Sequence, residues 1–281
     1  MCPPAVLEAM RDPVLSRRAL FKLGISAAAV AAGVAGPAAA EAARAAPVHP
    51  TRFSRILDLT HILGPNMPVF SDSDPTFSIK QFVIHEDSGY YGNVISYWEH
   101  VGTHMDAPAH FDPKGIFVDQ IPPENLVAPA VVINITDRAQ RDPDTVVTPD
   151  DIRAWERRYG RIPANAAVLM ASGWGARIGS KETHRNADAS GVMHFPGFGK
   201  EAVDFLLTER NVAGIGVDTL SIDHGPSTTF AVHYTWLPAG KWGLENVANL
   251  ESIPPSGATL IVGAPKVASG SGGPSRVFAV W

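Results

Sequence analysis

The feature of this sequence that most constrains its fold is a short segment, residues 100 to 110, that contains three histidines and one aspartate. His100, His104, Asp106 and His110 share the same parity, so an extended backbone would direct their side chains to one side. Gly102 permits a tight backbone between the first two histidines, which lets their rings converge. Imidazole nitrogens and a carboxylate oxygen are suitable ligands for Zn²⁺ or Mn²⁺. The segment therefore predicts a divalent metal site; the alternative is a set of hydrogen-bonded histidines without a metal.

A second group of candidate ligands follows a strand-like run farther along the chain. Asp218 ends that run, which is a common position for functional residues in α/β folds, and Asp223, His233 and Glu245 come after it. Asp223 precedes Gly225 in a sequence that also fits a structural turn. Glu245 also fits a solvated carboxylate at the start of a helix. The residue pattern alone does not connect these side chains with the first segment.

Cysteine usage and charge exclude several classes of function. The one cysteine is Cys2, inside the segment assigned below to targeting, so cysteine catalysis and cysteine zinc sites are excluded. The formal net charge is −5, so the chain lacks the basic surface that binds nucleic acid. Ser172 follows a strand-like run but no G-x-S-x-G motif is present, which favours a turn residue over a catalytic serine. No nucleic-acid partner is therefore expected, and the family resemblance described below implies a small-molecule substrate.

The first 45 residues have the pattern of a targeting segment. Ser16-Arg17-Arg18-Ala19-Leu20-Phe21-Lys22 is a twin-arginine signature, and a weakly apolar stretch and small-residue A-x-A sites follow it. The apolar stretch is too short for a good transmembrane span, so we expect no stable membrane insertion. The prediction is a signal peptide and tether at residues 1–45, one domain at residues 46–281, and export by the twin-arginine machinery to the periplasm or beyond. An N-terminal amphipathic helix is the alternative.

Strand-like runs and two helix patterns predict an α/β fold with a mixed sheet. One helix begins at Thr148, an N-cap followed by proline and two acids, and a second is predicted over Lys200–Arg210. Each helix precedes an apolar strand-like run, which favours α/β over all-β, and the strands without an intervening helix favour a mixed sheet. The predicted strands, rich in Val, Ile and Phe, are Ile56–Thr60, Phe77–His85, Val94–Trp98, Val127–Ile135, Ala167–Ala171, Gly214–Asp218, Thr259–Val262 and Val277–Val280.

The pattern His100-x-Gly-Thr-His-x-Asp-x-Pro-x-His110 resembles the signature of the cyclase family, which includes bacterial kynurenine formamidases and isatin hydrolases. The resemblance extends from about residue 55 to the end of the chain. It implies a swivelling β/β/α fold with a mixed sheet, which assembles as a homodimer or homotetramer. The further segments that carry it are Asp58-Leu59-Thr60, Met67-Pro68-Val69-Phe70, the run from Gly216 to Asp223, the run from Glu245 to Leu250, and the run from Gly272 to Val277.

The resemblance also assigns the metal ligands. His100, His104 and Asp106 match the ligands of a first ion. Asp106, His233 and Glu245 match the ligands of a second ion, with Asp106 as the bridging carboxylate. The metal is expected to be zinc or manganese, with one or two ions per subunit.

Hydrolysis of a linear or cyclic amide is the function that the resemblance implies. The metal would polarise the carbonyl and supply hydroxide, and His110, which matches the general acid/base, would move the proton to the leaving nitrogen. Phe70 stands where formamidases usually have a tryptophan that lines the substrate pocket. We expect an arylformamidase-like hydrolase of non-peptide carbon–nitrogen bonds, with N-formylkynurenine or an isatin-type substrate. The alternatives are a lactone or cyclic imide hydrolase, a cyclase, and a non-catalytic exported protein that binds metal or a small molecule.

Overall fold

The structure is a computed structural model that describes residues 52–281, so the predicted signal peptide lies outside the described residues. The helices are α1 (His85–Ser88), α2 (Thr136–Arg141), α3 (Pro149–Tyr159), α4 (Lys181–Arg185), α5 (Lys200–Glu209) and α6 (Ala231–Trp236). The strands are β1 (Ile56–Asp58), β2 (Ser78–Val83), β3 (Gly92–Ser96), β4 (His104–Asp106), β5 (Val127–Asn134), β6 (Val146–Val147), β7 (Ala166–Ala171), β8 (Gly197–Phe198), β9 (Val212–Val217), β10 (Trp242–Glu245), β11 (Ala258–Gly263), β12 (Gly272–Pro274) and β13 (Arg276–Val280).

A nine-stranded sheet with the order β1-β13-β11-β5-β7-β9-β10-β4-β12 is the centre of the fold. Strands β5, β7, β9 and β10 are parallel, whereas the strands on either side of them pair antiparallel. Two small sheets, β2-β3 and β6-β8, lie outside it. The predicted α/β class with a mixed sheet is confirmed. In the described part of the chain, no helix combines the length and the apolar character that a membrane crossing needs.

Alternation of apolar side chains along the central strands divides the core into two layers. In β7, Leu169 lies in one buried cluster, and Val168 and Met170 lie in the other. Helices α3, α5 and α6 cover the second cluster, and Trp155 and Trp236 are among their contributions to it. Because both faces of β7 and β9 are buried, these two parallel strands are apolar throughout.

The predicted helices form where the sequence placed them. In α3, the Thr148 Oγ1 atom accepts from the Asp151 backbone N–H at 3.3 Å, and Asp151 Oδ2 accepts from the Thr148 N–H at 2.8 Å, which is a reciprocal capping box. The second predicted helix, α5, ends at Glu209, one residue before its predicted end. The eight predicted strands correspond to β1, β2, β3, β5, β7, β9, β11 and β13.

Three strands that the apolar pattern did not predict form one end of the sheet. Strand β4 lies between β10 and β12, with Asp106 opposite Gly243 on one side and Gly272 on the other. The same register places Glu245 opposite His104. The two predicted ligand groups, which lie far apart in the sequence, therefore meet on adjacent strands.

Candidate active site

The centre of the site is a group of buried imidazoles and carboxylates from β4, β10 and α6. The His104 Nε2 atom lies 3.3 Å from both Asp106 Oδ1 and Glu245 Oε2. The His233 Nε2 atom lies 3.2 Å from Glu245 Oε1 and 3.7 Å from Asp106 Oδ2. Glu245 is buried at the end of a strand, so it is not a solvated carboxylate at a helix start.

His100 reaches this group from the loop before β4. Its Nδ1 atom lies 2.7 Å from Asp106 Oδ1, and its Nε2 atom lies 3.0 Å from the Ser271 Oγ atom. Ser271 in turn donates to a Glu99 carboxylate oxygen at 2.5 Å. A Cβ atom at Gly272 would lie 2.9 Å from His100 Cε1 and closer still to the Met105 carbonyl oxygen. Glycine is therefore needed for this strand to approach the site.

The convergence predicted from parity occurs, but not through one extended strand. Only the three residues from His104 to Asp106 are β-structure, and Pro108 to His110 form a 3₁₀ turn. Gly102 has a φ of +66°, in the left-handed region that favours glycine. The backbone bend at this glycine lets His100 and His104 approach the same carboxylate.

The orientation of the two buried ligand imidazoles is fixed by hydrogen bonds on their Nδ1 atoms. His104 Nδ1 donates to the Gly102 carbonyl oxygen at 2.9 Å. His233 Nδ1 lies 2.7 Å from Asp223 Oδ2. Release of the Nε2 proton would therefore leave the lone pair of both rings directed toward Asp106 and Glu245. This arrangement, with one ring nitrogen held by an outer acceptor, is typical of metal-binding histidines.

The electrostatics of the group favour a bound cation. Burial opposes ionisation of Asp106, but contacts with His100, His104 and other imidazoles hold the pKa of its carboxyl well below the usual range. Burial alone would lower the pKa of His104, yet its contacts with Asp106 and Glu245 raise it to about 10. The two buried carboxylates thus keep a protonated imidazole beside them. A bound divalent cation would supply that positive charge in its place, and the imidazole proton would be released.

Two buried atoms of the ligand group lack a hydrogen-bond partner among residues 52–281, and both point to a metal ion. They are His104 Nε2 and Asp106 Oδ2. Ligand atoms of His104, Asp106 and Glu245 all lie within 4.8 Å of one another, and the same holds for His100, Asp106 and His110. A set of imidazole nitrogens and carboxylate oxygens fits Zn²⁺ or Mn²⁺. The residues present therefore fit a divalent metal.

His110 lies at the cavity side of the ligand group. Its ring stacks on the ring of His100, with the centroids 3.7 Å apart and the planes at 19°. Burial lowers the pKa of His110 to about 4, so the ring is neutral near pH 7. Among the described residues, its side chain makes no hydrogen bond. The distances from His110 to His100 and Asp106 would allow it to be a metal ligand. Its neutral ring, whose nitrogens have no hydrogen-bond partner among the described residues, is suited to proton transfer.

A cavity of about 210 Å³ opens above the ligands. It is smaller than typical ligand pockets of roughly 300–1,000 Å³, so it favours a compact substrate. Aromatic rings form much of its wall, and no lysine or arginine of the described chain is among its lining residues. These lining residues are Phe70, Asp74, Trp98, His100, His110, Phe111, Leu220, Ser221, Phe230, His233, Glu245 and Asn246.

All seven predicted site residues come together at this cavity or directly beneath it: Phe70, His100, His104, Asp106, His110, His233 and Glu245. Asp218 is not among the lining residues. Its buried carboxylate accepts from the Ser172 hydroxyl at 2.5 Å and from two backbone N–H groups. Ser172 is thus a residue at a strand end, as the missing nucleophile motif indicated.

Several residues that orient the site were missed by sequence reasoning. In the sequence, Asp223 is a candidate ligand or a turn residue, whereas in the structure it fixes the ring of His233. Its position ten residues before a ligand histidine was the available signal. Glu99 and Ser271 gave no signal, because the hydrogen bonds that link them to His100 depend on segments that meet only in the folded chain.

Comparisons with known proteins found a matching family model and several similar proteins. The family model named Cyclase matches residues 57–224, which include the segment from His100 to His110. An isatin hydrolase of Roseibium aggregatum is 32% identical over 241 residues, covering 80% of this chain and 91% of that protein. The structure of isatin hydrolase A from Ralstonia solanacearum superimposes with a TM-score of 0.76 at 39% identity, covering 80% of this chain and 91% of that chain. A kynurenine formamidase of Paracidovorax citrulli is 27% identical over 177 residues, covering 63% of this chain and 74% of that protein.

Proposed function

The chain belongs to the cyclase family, and from this premise we propose that it opens a cyclic amide whose ring is fused to an aromatic ring, as in isatin. At the coarser level it is a metal-dependent hydrolase of carbon–nitrogen amide bonds. One observation carries the proposal: a metal-ligand set, a neutral histidine and a wall of aromatic rings meet in one small cavity.

The ligand residues define where the amide carbonyl would bind. His100, His104, Asp106, His233 and Glu245 would hold one or two divalent ions at the floor of the cavity. A divalent ion held there would polarise the carbonyl oxygen and lower the pKa of a water molecule. The outer hydrogen bonds on the histidine Nδ1 atoms keep the ligands in place through the reaction.

His110 is the residue that we propose for proton transfer. Its neutral imidazole would accept a proton from water and return it to the amide nitrogen as the carbon–nitrogen bond breaks. The stack on His100 holds the ring beside the ligand group. Phe70 and the other aromatic residues would exclude bulk water from the reacting atoms, which strengthens the electrostatic interactions within the cavity.

The lining of the cavity favours a compact neutral substrate over a charged amino acid. A lining without lysine or arginine offers no basic partner to the carboxylate of N-formylkynurenine. A fused bicyclic amide needs none, because its carboxylate appears only as the ring opens, next to the metal ligands. The greater similarity to isatin hydrolases than to kynurenine formamidases supports the same choice.

The test is metal analysis followed by turnover of a substrate panel. Purified protein should contain bound zinc or manganese, lose activity on chelation, and regain activity with the same metal. Among isatins, formanilides, N-formylkynurenine, cyclic imides and lactones, isatins should have the highest kcat/KM. A full metal complement without turnover of any compound would contradict an enzymatic role and favour a binding protein.

An arylformamidase that acts on a linear N-formyl group is the second candidate function. Its support is the match to kynurenine formamidases, and the same ligands and His110 would serve it. In the panel, faster turnover of formanilides than of isatins would favour this candidate. Preferential turnover of lactones or cyclic imides would instead identify the chain as a lactone or cyclic imide hydrolase.

We also propose that the enzyme acts outside the cytoplasm. The support is the twin-arginine pattern at Arg17 and Arg18, followed by the apolar stretch and A-x-A sites. Replacing both arginines with lysine should retain the full-length chain in the cytoplasmic fraction. Unchanged export of that variant would contradict the proposal.

A further inference from the structure

Phe230 has a backbone conformation that is rare for a bulky aromatic residue. Its φ is 48° and its ψ is 44°, in the left-handed region. This region is unfavourable for residues with a large side chain, and asparagine enters it far more readily. Among residues 52–281, the other non-glycine residues with positive φ have small polar side chains. They are four asparagines and one serine: Asn165, Asn186, Asn246, Asn249 and Ser269. A strained residue at a cavity wall indicates a functional constraint.

A carboxylate from outside the helix stabilises the strained backbone at Phe230. Phe230 is the residue before α6, and its side chain offers no cap to the first helical N–H groups. Asp223 supplies that cap instead: it accepts from the Val232 N–H at 2.9 Å and from the His233 N–H at 3.1 Å. Its Oδ2 atom also lies 2.7 Å from the His233 ring. One carboxylate therefore fixes both the ligand imidazole and the start of the helix.

The Phe230 ring belongs to the cavity wall rather than to the core. It belongs to none of the buried hydrophobic clusters, whereas Phe70 and Phe111 each pack against one. Its centroid lies 5.8 Å from the Phe70 ring and 5.9 Å from the Phe111 ring. The His233 ring lies 5.9 Å away and nearly perpendicular, at 80°. The three phenyl rings thus form a cup beside a metal-ligand histidine.

We propose that Phe230 is a specificity-determining residue that selects substrates with a planar aromatic ring. The left-handed backbone directs its ring into the cavity while His233, three residues later, faces the carboxylates. A flat ring between Phe230 and the Phe70–Phe111 side gains offset or edge-to-face contacts, which a saturated ring of similar size does not. The inference rests on the proposed function in naming the substrate class, and it adds the residue that enforces this preference.

The test compares kcat/KM for isatin with that for its analogue in which a cyclohexane ring replaces the benzene ring. Aromatic contacts are worth roughly 0.5–1.5 kcal/mol, which corresponds to roughly a 2- to 13-fold preference. Phe230→Leu keeps an apolar side chain on the strained backbone and should reduce the aromatic preference by about that factor. Phe230→Tyr keeps the ring and should retain the preference.

A second ring-free variant and a matched control guard against a loss of folding. Asparagine adopts the left-handed conformation readily, so Phe230→Asn should fold even where leucine does not, and it should lose the same preference. Tyr159→Leu removes an aromatic side chain at the end of α3 that is 38% exposed and does not line the cavity. This control should leave the ratio of the two kcat/KM values unchanged. Metal content should equal that of the wild type in every variant.

A binding measurement separates this inference from the proposed function. Phenylglyoxylate and cyclohexylglyoxylate are titrated calorimetrically into metal-loaded protein, without any turnover. Preference for the aromatic acid, lost with leucine or asparagine at residue 230, would support the inference even if no amide were hydrolysed. The inference would be overturned if Phe230→Leu and Phe230→Asn both hydrolyse isatin and both keep the wild-type ratio of kcat/KM for isatin to kcat/KM for the saturated analogue. That result would leave the proposed function intact. An absence of any aromatic preference in the wild type would also overturn it.

Discussion

The side chain of His110 differs from the other site histidines because, within the described chain, no hydrogen bond fixes either of its ring nitrogens. Its ring stacks on His100, with 3.7 Å between the centroids, and packs edge-on against Phe111 at 4.7 Å. Replacing it should therefore leave the ligand group assembled while removing the proton carrier. We expect His110→Ala to retain bound metal, measured by elemental analysis, and to lose on the order of 10²–10⁴-fold in kcat.

The exposed His85, on the short helix outside the cavity, provides the control for that variant. His85→Ala should keep both metal and activity. Full activity in His110→Ala would contradict the proton-transfer role. Loss of most of the bound metal in that variant would instead identify His110 as a ligand, in agreement with its distance to His100 and Asp106.

A chain of hydrogen bonds behind His104 should set metal affinity. Asn246 Nδ2 donates to the Gly102 carbonyl oxygen at 3.1 Å, the same oxygen that accepts from His104 Nδ1. The buried His184 Nε2 atom lies 2.8 Å from Asn246 Oδ1 and fixes that amide in turn. Because such outer contacts orient metal ligands, Asn246→Ala should weaken metal binding by roughly 10- to 100-fold. Competition with a chromophoric chelator measures the change.

Asn249 is a close control for that experiment. It has the same left-handed backbone as Asn246, with φ values of 57° and 52°, but it is exposed and its amide donates to the Asp58 carbonyl oxygen. Asn249→Ala should leave the metal dissociation constant unchanged. Equal effects of the two substitutions would show that a general loss of stability, and not the orientation of His104, controls binding.

The ligands themselves could be predicted from the sequence, whereas the residues that orient them could not. Three histidines and an aspartate within one short segment carry a chemical signal by composition alone. Asn246 and Ser271 carry none, because an amide or a hydroxyl is compatible with any polar surface. Their partners are the Gly102 carbonyl oxygen and His100, which lie more than a hundred residues away in sequence.

At the scale of elements, a buried carboxylate joins the ends of two parallel strands. Asp218 follows β9, and it accepts from the Ser172 hydroxyl and N–H, which follow β7, and from the Trp174 N–H. Burial raises the pKa of Asp218 to about 6 despite these hydrogen bonds. The folded state thus binds this proton more tightly than the unfolded state, for which the value is 3.8.

This raised pKa predicts a pH-dependent contribution to stability. Between about pH 4 and pH 6 the folded state holds more protons than the unfolded state, so the contribution of Asp218 falls as the pH rises through that window. The total change is on the order of 3 kcal/mol, at about 1.4 kcal/mol per pH unit. Asp218→Asn cannot titrate, so the urea-unfolding free energy of the wild type minus that of the variant should fall by this amount as the pH rises from about 4 to about 6. Parallel profiles from pH 4 to pH 7 would contradict the assignment.

Strands with a clear apolar pattern were predicted, and those that build the site were not. Strands β4, β10 and β12 span only three or four residues each, and their sequences contain ligands or glycines instead of alternating apolar residues. Gly243 and Gly272 flank Asp106 because a side chain there would crowd the site. Here the requirements of the site override the usual sequence pattern of a strand.

At the scale of the whole molecule, the β2-β3 hairpin is a large exposed apolar surface. The hairpin pairs only with itself and lies outside the nine-stranded sheet. Phe82 is 74% exposed, and the directly paired Ile79 and Ile95 are 48% and 53% exposed. A two-stranded hairpin alone is marginally stable in water, and exposed apolar patches mark interaction sites. Trp98, just beyond the hairpin, lines the cavity.

We expect a second copy of the chain to cover this hairpin, in agreement with the homodimer or homotetramer that the resemblance implies. A charge on the apolar face would have to be buried at such an interface without a partner, which is strongly unfavourable. The double variant Phe82→Glu with Ile95→Glu should therefore shift the mass measured by light scattering from that of an oligomer to that of a monomer. Ile62→Glu, at an isoleucine that is 93% exposed outside the hairpin, should not. A wild-type mass in the double variant would place the interface elsewhere, and a monomeric wild type at micromolar concentration would contradict the assembly itself.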